Sequence, residues 1–154
     1  MSEKVFNIFT DGAASGNPGP AAIGVVIKEN DKPVVEISKS IGNATNNVAE
    51  YTAVIAALEE ARSRKADKII IHTDSELLYY QLTGSYKVKN ENLLLLFEQV
   101  RQLARGIKQI EIKRIPREQN QDADRLAKKA IKKEQAKVVA SKPIFGEESP
   151  SSTG

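Results

Sequence analysis

Asp11 closes the apolar run VFNIFT, Glu50 falls on the apolar stripe of an expected helix, Asp74 closes a second apolar run, KIIIHT, and Asp124 lies in the opening turn of the last expected helix. Ordinary folding would put apolar or neutral side chains at several of these places. Carboxylates brought together repel one another unless a cation is held between them, so four such positions imply a site for divalent metal. Each residue also has a simpler structural use. Asp11-Gly12 is a common turn pair, and Glu50 near a helix N-terminus is favoured by the macrodipole. Asp74 can cap the helix that follows it. Asp122 competes with Asp124 for any role, since both lie in the same first turn, and periodicity does not separate them.

Chemistry at these residues needs elements to position them. The runs Val5–Thr10, Ile23–Lys28 and Val34–Ser40 read as three strands joined by Gly/Pro-rich and Asn/Asp-containing turns, which makes an antiparallel meander. From Asn46 the period changes: Glu50, Val54, Ala57, Leu58 and Ala61 share one helical face, with Thr45 or Asn46 as the N-cap. Lys68–Thr73 is a short run of the kind found in a strand covered on both faces. Helices are expected near residues 75–83 and 91–105, a last strand over Gln109–Ile115, and a last helix from near Asn120 with Ala123, Leu126, Ala127, Ala130 and Ile131 facing inward. Between the first two strands, TDGAASGNPGP reads as a loop that offers main-chain N–H groups and the Asn17 amide to a polar ligand.

Composition bounds the setting. The chain has 154 residues, 40% of them hydrophobic, enough for one well-buried core. One domain over residues 1–135 is expected, followed by a flexible tail over 136–154, where periodicity stops and the sequence ends in SPSSTG. Cysteine is absent, which excludes disulfides and thiolate metal sites. No apolar run approaches the ~20 residues that cross a bilayer, so a cytoplasmic, soluble protein is expected. The formal charge of +3 is a mild basic bias compatible with a polyanionic partner, and the residues from 143 on contribute only Glu147 and Glu148.

Five elements in order, FTDGAASGNPGPAAIG, TNNVAEYTAVIAALE, IIIHTDSELLYYQL, YKVKNENL and NQDADRLAKKA, resemble the ribonuclease H type 1 family across residues 5 to about 131. The resemblance implies an RNase H-like α/β fold: a five-stranded mixed sheet, an antiparallel meander plus parallel strands, with helices on both faces. It implies an endonuclease that hydrolyses the RNA strand of an RNA/DNA hybrid and leaves a 3′-hydroxyl and a 5′-phosphate. Through the D-x-L-A pattern it selects Asp124 over Asp122 and assigns Asp11, Glu50, Asp74 and Asp124 to two Mg²⁺ ions, with Mn²⁺ as a substitute; such a pair activates water and stabilises both the attacking and the leaving oxygen. It further implies that Ala14, Gly16, Asn17, Asn46, Asn47 and Glu76 contact the hybrid, that Thr45 contacts a DNA phosphate, and that Glu50 accepts a hydrogen bond from the ribose 2′-hydroxyl that marks RNA. A monomer with no membrane association and no obligate protein partner is expected.

The sequence also departs from the family pattern. Glu76 stands where many relatives have Gln. The loop RIPREQN carries no histidine, leaving Arg114 or Arg117 as the substitute. The one histidine, His72, lies inside a strand and is expected to be structural. There is no long basic, Trp-rich insertion between residues 80 and 95, and Trp is absent altogether. Two other functions fit the same elements: a catalytically silent nucleic-acid-binding module, which would gain nothing from four carboxylates that repel phosphate, and an exonuclease of the same fold.

Overall fold

The computed structural model describes residues 3–141, and side chains over 3–137. The chain order is β1 (Val5–Ala14), β2 (Gly19–Glu29), β3 (Lys32–Ala44), α1 (Asn46–Ser63), β4 (Lys68–Thr73), α2 (Glu76–Leu82), α3 (Glu91–Ala104), β5 (Gln109–Arg114), a 3₁₀ turn over Arg117–Gln119, and α4 (Gln121–Ser141). The five strands form one sheet in the order β3-β2-β1-β4-β5. β1 pairs antiparallel with β2, and β2 with β3, whereas β4 runs parallel to both β1 and β5.

The side chains divide by strand period into two buried layers. Phe6 and Ile8 of β1, with Ile23, Val25 and Ile27 of β2, pack beneath Tyr51, Val54 and Leu58 of α1. α3 adds Leu93 and Val100 to that layer. On the opposite face, α4 lies across β1, β2 and β3 and buries Ala123, Leu126, Ala127 and Ala130. The helices therefore cover both faces, as expected. Ile131 is only half-buried, at the margin of that stripe.

Two glycines seat these helices. A Cβ at Gly12 would collide with the carbonyl carbon of Ala49 in α1, and one at Gly24 would collide with the carbonyl oxygen of Ala123 in α4. Each helix thus rests main chain against main chain on the sheet, which only glycine permits. Caps fix where the helices start. Thr45, not Asn46, is the N-cap of α1, its hydroxyl accepting from the Val48 N–H at 3.2 Å. Ser75 and Asn90 cap α2 and α3 in the same way.

The hairpin between β1 and β2 differs from its sequence reading. Pairing continues through Asp11↔Gly24, Gly12↔Ile23, Ala13↔Ala22 and Ala14↔Ala21, so most of the glycine-rich run is strand and only Ser15–Pro18 turns. Small residues on both strands allow that extension. β3 likewise runs longer than the expected Val34–Ser40, because its ladder with β2 continues to Gly19↔Ala44. α4 continues to Ser141, past the expected tail boundary at 136, and the expected tail from residue 142 lies outside the described residues. No helix among the described residues is long and apolar enough to cross a membrane.

Candidate active site

β1 and β4 are parallel neighbours, so the residues that end them emerge at the same edge of the sheet. Asp11 lies near the C-terminal end of β1, and Asp74 directly follows β4. α1 starts over this edge and brings Glu50 down from one face. α4 starts under it and brings Asp124 up from the other. One carboxylate oxygen from each of Asp11, Glu50 and Asp74 lies within 4.8 Å of the others. Asp124 completes the wall of the same cleft, of about 390 Å³, together with Asn46, Arg117 and Lys128.

The electrostatics are those of crowded, partly buried carboxyls. Asp11 is buried, and its carboxyl is pushed up to about 8, first by desolvation and then by the charge of Asp74, with a hydrogen bond and charge from Asp124 adding to the shift. Glu50 is raised well above the usual carboxylate range, again first by desolvation and then by Asp11 and Asp74. Two features oppose this: Gly12 N–H donates to Glu50 Oε1 at 3.0 Å, and the Arg117 guanidinium favours the charged form of both carboxyls. A cluster of hard oxygen donors held this close fits Mg²⁺ or Mn²⁺. Asp124 is tied differently, its Oδ2 lying 3.0 Å from Lys128 Nζ one turn along α4. Asp122 makes only a long pair with Arg125 at 3.8 Å and does not line the cleft.

The proposed substrate contacts sit around this centre with distinct hydrogen-bond commitments. Asn46 Oδ1 accepts from Ala14 N–H at 2.9 Å, and Asn17 Oδ1 accepts from Asn46 N–H at 3.0 Å. The carbonyl ends of both amides therefore brace the hairpin against α1. The NH₂ ends have no acceptor among the described residues and remain available as donors. Ala14 and Ser15 have their own N–H groups engaged, Ser15 with Pro20 O at 2.7 Å. Gly16 adopts φ 98°, the left-handed region that favours glycine. Asn47 is exposed in the first turn of α1.

The two loop arginines part company. Arg117 lines the carboxylate cleft, whereas Arg114 pairs with Glu76 at 3.3 Å, reaches Tyr80 Oη at 3.3 Å and lies over the Tyr80 ring. Arg114, Tyr79, Tyr80 and Arg117 line an adjoining open groove of about 880 Å³ that reaches Asp74. His72 stands apart from the cleft. Its ring stacks on Phe9 at 4.3 Å, its Nε2 meets Asn7 Oδ1 at 3.2 Å, and its pKa is lowered first by burial and then by Lys113, as suits a structural residue.

Sequence reading overlooked Lys128 and Asn120. Lys128 stands four residues after Asp124, a helical pairing visible in DADRLAKKA. In sequence Asn120 marks only the start of a helix. It is 1% exposed, and its amide donates to Thr10 O at 2.9 Å and to Asp74 Oδ2 at 3.0 Å. Nothing in its spacing announces a partner 110 residues away.

A family model described as reverse transcriptase-like matches residues 9–130. Among curated relatives, a bifunctional protein of Mycobacterium tuberculosis is 40% identical over 152 residues, covering 96% of this chain and 42% of that one. A ribonuclease HI of Halobacterium salinarum is 43% identical over 124 residues, covering 80% of this chain and 62% of that one. The chain thus spans less than two thirds of the length of these relatives. Two solved structures align over nearly their whole length. The RNase H1 of Halobacterium salinarum has TM-score 0.81 at 41% identity, covering 84% of this chain and 98% of that one. LC11-RNase H1 in complex with an RNA/DNA hybrid has TM-score 0.80 at 40% identity, covering 84% and 99%. With its sheet order, its carboxylate cleft and these alignments in agreement, the chain belongs to the ribonuclease H type 1 family.

Proposed function

We propose that this chain hydrolyses the RNA strand of RNA/DNA hybrids as an endonuclease, leaving a 3′-hydroxyl and a 5′-phosphate. The observation that carries this reading is the convergence of Asp11, Glu50 and Asp74 within 4.8 Å at the rim of an open cleft. A related RNase H1 of the same fold was solved with such a hybrid bound.

Two divalent cations, Mg²⁺ or Mn²⁺, would supply activation of the attacking water and charge stabilisation at phosphorus when bound. Glu50 and Asp74 would hold one of them and Asp124 the other, with Asp11 shared between the two. Arg117 faces the carboxylates and would hold a phosphate oxygen of the RNA strand, which restrains the scissile group in line for displacement. The free NH₂ groups of Asn17 and Asn46 would donate to the minor-groove face of the hybrid, alongside Asn47. The N-terminus of α1 with the Thr45 hydroxyl would meet a DNA phosphate. Glu50, anchored by Gly12 N–H, would accept from a ribose 2′-hydroxyl and so select RNA. Glu76 and Arg114 neutralise each other and would border the DNA strand.

Incubation with labelled hybrid, RNA duplex and DNA duplex in Mg²⁺, Mn²⁺ or EDTA tests the reading. Cation-dependent cutting of the RNA strand in a circular or end-blocked hybrid is expected. Efficient cutting of DNA duplex would remove the assigned sugar readout, cutting from ends alone would make the protein an exonuclease, and binding without cutting would make it a silent module.

A further inference from the structure

Asn120 lies between the 3₁₀ turn and α4, and one residue there reaches three of the elements that build the cleft. Its Nδ2 donates to Thr10 O, the carbonyl immediately before Asp11, and to Asp74 Oδ2. Its own carbonyl accepts from the Asp124 N–H at 3.1 Å. Because both side-chain partners are acceptors, the amide orientation is fixed: only NH₂ offers two donors at once, and a carboxylate at this position would repel Asp74. Asn120 Oδ1, buried with no partner among the described residues, is the cost of that orientation. A residue serving only to start a helix would have no reason to carry it.

We propose that Asn120 is a positioning residue for the metal centre. Its amide locks the Asp74 carboxylate to β1 through the Thr10 carbonyl, and leaves Asp74 Oδ1 without a hydrogen-bond partner among the described residues. The separation of Asp74 from Asp11 is then set by two hydrogen bonds from one NH₂ group rather than by two side chains that repel each other. Partners of this kind around metal-binding carboxylates govern ligand orientation, and their loss typically costs about 10- to 100-fold in metal affinity or activity. The inference rests on the reading of Asp74 as a cation ligand.

Calorimetric titration of the full chain with Mn²⁺ in the absence of nucleic acid tests it directly, for the wild type, Asn120→Ala and Asn120→Ser. Melting in EDTA gives the stability of each variant separately. Affinity for Mn²⁺ should fall about 10-fold or more in the folded Asn120→Ala protein. Asn120→Ser, which retains one donor, should fall between it and the wild type. With hybrid substrate, kcat at limiting Mg²⁺ should drop and recover as Mg²⁺ is raised, while KM for the hybrid stays unchanged. A purely structural role would lower the melting temperature and leave Mn²⁺ affinity and the Mg²⁺ dependence where they were, and that result overturns the proposal. The serine variant decides the question if the alanine variant does not fold. A wild type that binds no Mn²⁺ would instead remove the reading of Asp74 as a ligand, whereas a binding wild type with equally binding variants removes the role of Asn120 alone.

Discussion

The two sides of the cleft are built on different physical terms. On the β1/α1 side, Asp11 and Glu50 are held by main chain: Gly12 lies against the backbone of Ala49, and its N–H fixes the Glu50 carboxylate. Burial forces both acids toward their protonated forms. On the α4 side, Asp124 and Lys128 form an ion pair, with side-chain exposures of 22% and 55%, that solvent screens and that an incoming ligand rearranges at little cost. The first side is pre-formed and electrostatically strained, and the second is adjustable.

Removing a carboxylate charge at the centre of the cleft should have the largest effect. Asp11→Asn on the rigid side, or Asp74→Asn at the end of β4, is expected to reduce hybrid hydrolysis by about 10³-fold, because an amide is a poorer cation ligand than a carboxylate, while circular dichroism stays native. On the adjustable side, Asp124→Asn should cost far more than Asp122→Asn, which should stay within about twofold of wild type since Asp122 lies outside the cleft. Equal losses for the two would overturn the choice made by the D-x-L-A pattern.

The loop arginines sharpen the contrast further. Arg117→Ala should lower kcat/KM by about 10-fold or more through loss of a charged phosphate contact. Arg114→Ala should act weakly, because that guanidinium is already satisfied by Glu76 and Tyr80. Parallel kinetics of the two variants at low and high salt would expose any exchange of roles.

Strain on the rigid side also has a sign that melting curves report. Without cation, the folded chain retains a proton on Asp11 up to about pH 8, whereas the unfolded chain releases it near the ordinary 3.8. The folded state therefore binds more protons across that interval, and stability in EDTA should decline as pH rises from about 4 towards 8. Asp11→Asn should flatten that decline, and Mg²⁺ should raise the melting temperature more at pH 8 than at pH 5. A wild type and an Asp11→Asn variant with the same pH dependence in EDTA would contradict the raised pKa of Asp11. The smallest effect belongs to His72→Ala: it should lower the melting temperature and leave the shape of the pH–rate profile unchanged, since the ring contacts Phe9 and Asn7 rather than the cleft.

Legibility in sequence followed the range of the interactions. β4 was read to the residue because a short apolar run between turn signals depends only on itself, and α2 and α3 were read within a residue or two, although the cap of α2 is Ser75 rather than Asp74. The ends of β1, β2 and β3 were missed because their extension depends on partner strands. The four carboxylates were visible as violations of pattern, and the selection of Asp124 came from family resemblance. Asn120 was not visible, since its meaning lies in Thr10 and Asp74, on other strands. The separation of Arg114 from Arg117 likewise needed the side chains of α2.

In sequence Gly12 reads as half of a turn pair and Gly24 as an ordinary strand residue, and their contacts give both another meaning. Side chains between packed elements act as springs: a core of Leu, Ile and Val can be resized, and neighbouring layers shift to accommodate it. Where main chain meets main chain there is no spring, so the height of α1 and α4 above the sheet does not follow changes elsewhere in the core. Sequence drift at Val54 or Leu58 should then erode stability well before it alters the spacing of the acids. An alanine at either glycine would lift a helix bodily and detune the cleft without touching a single carboxylate. The catalytic geometry is in this sense insulated from most of the chain and hostage to two hydrogen atoms.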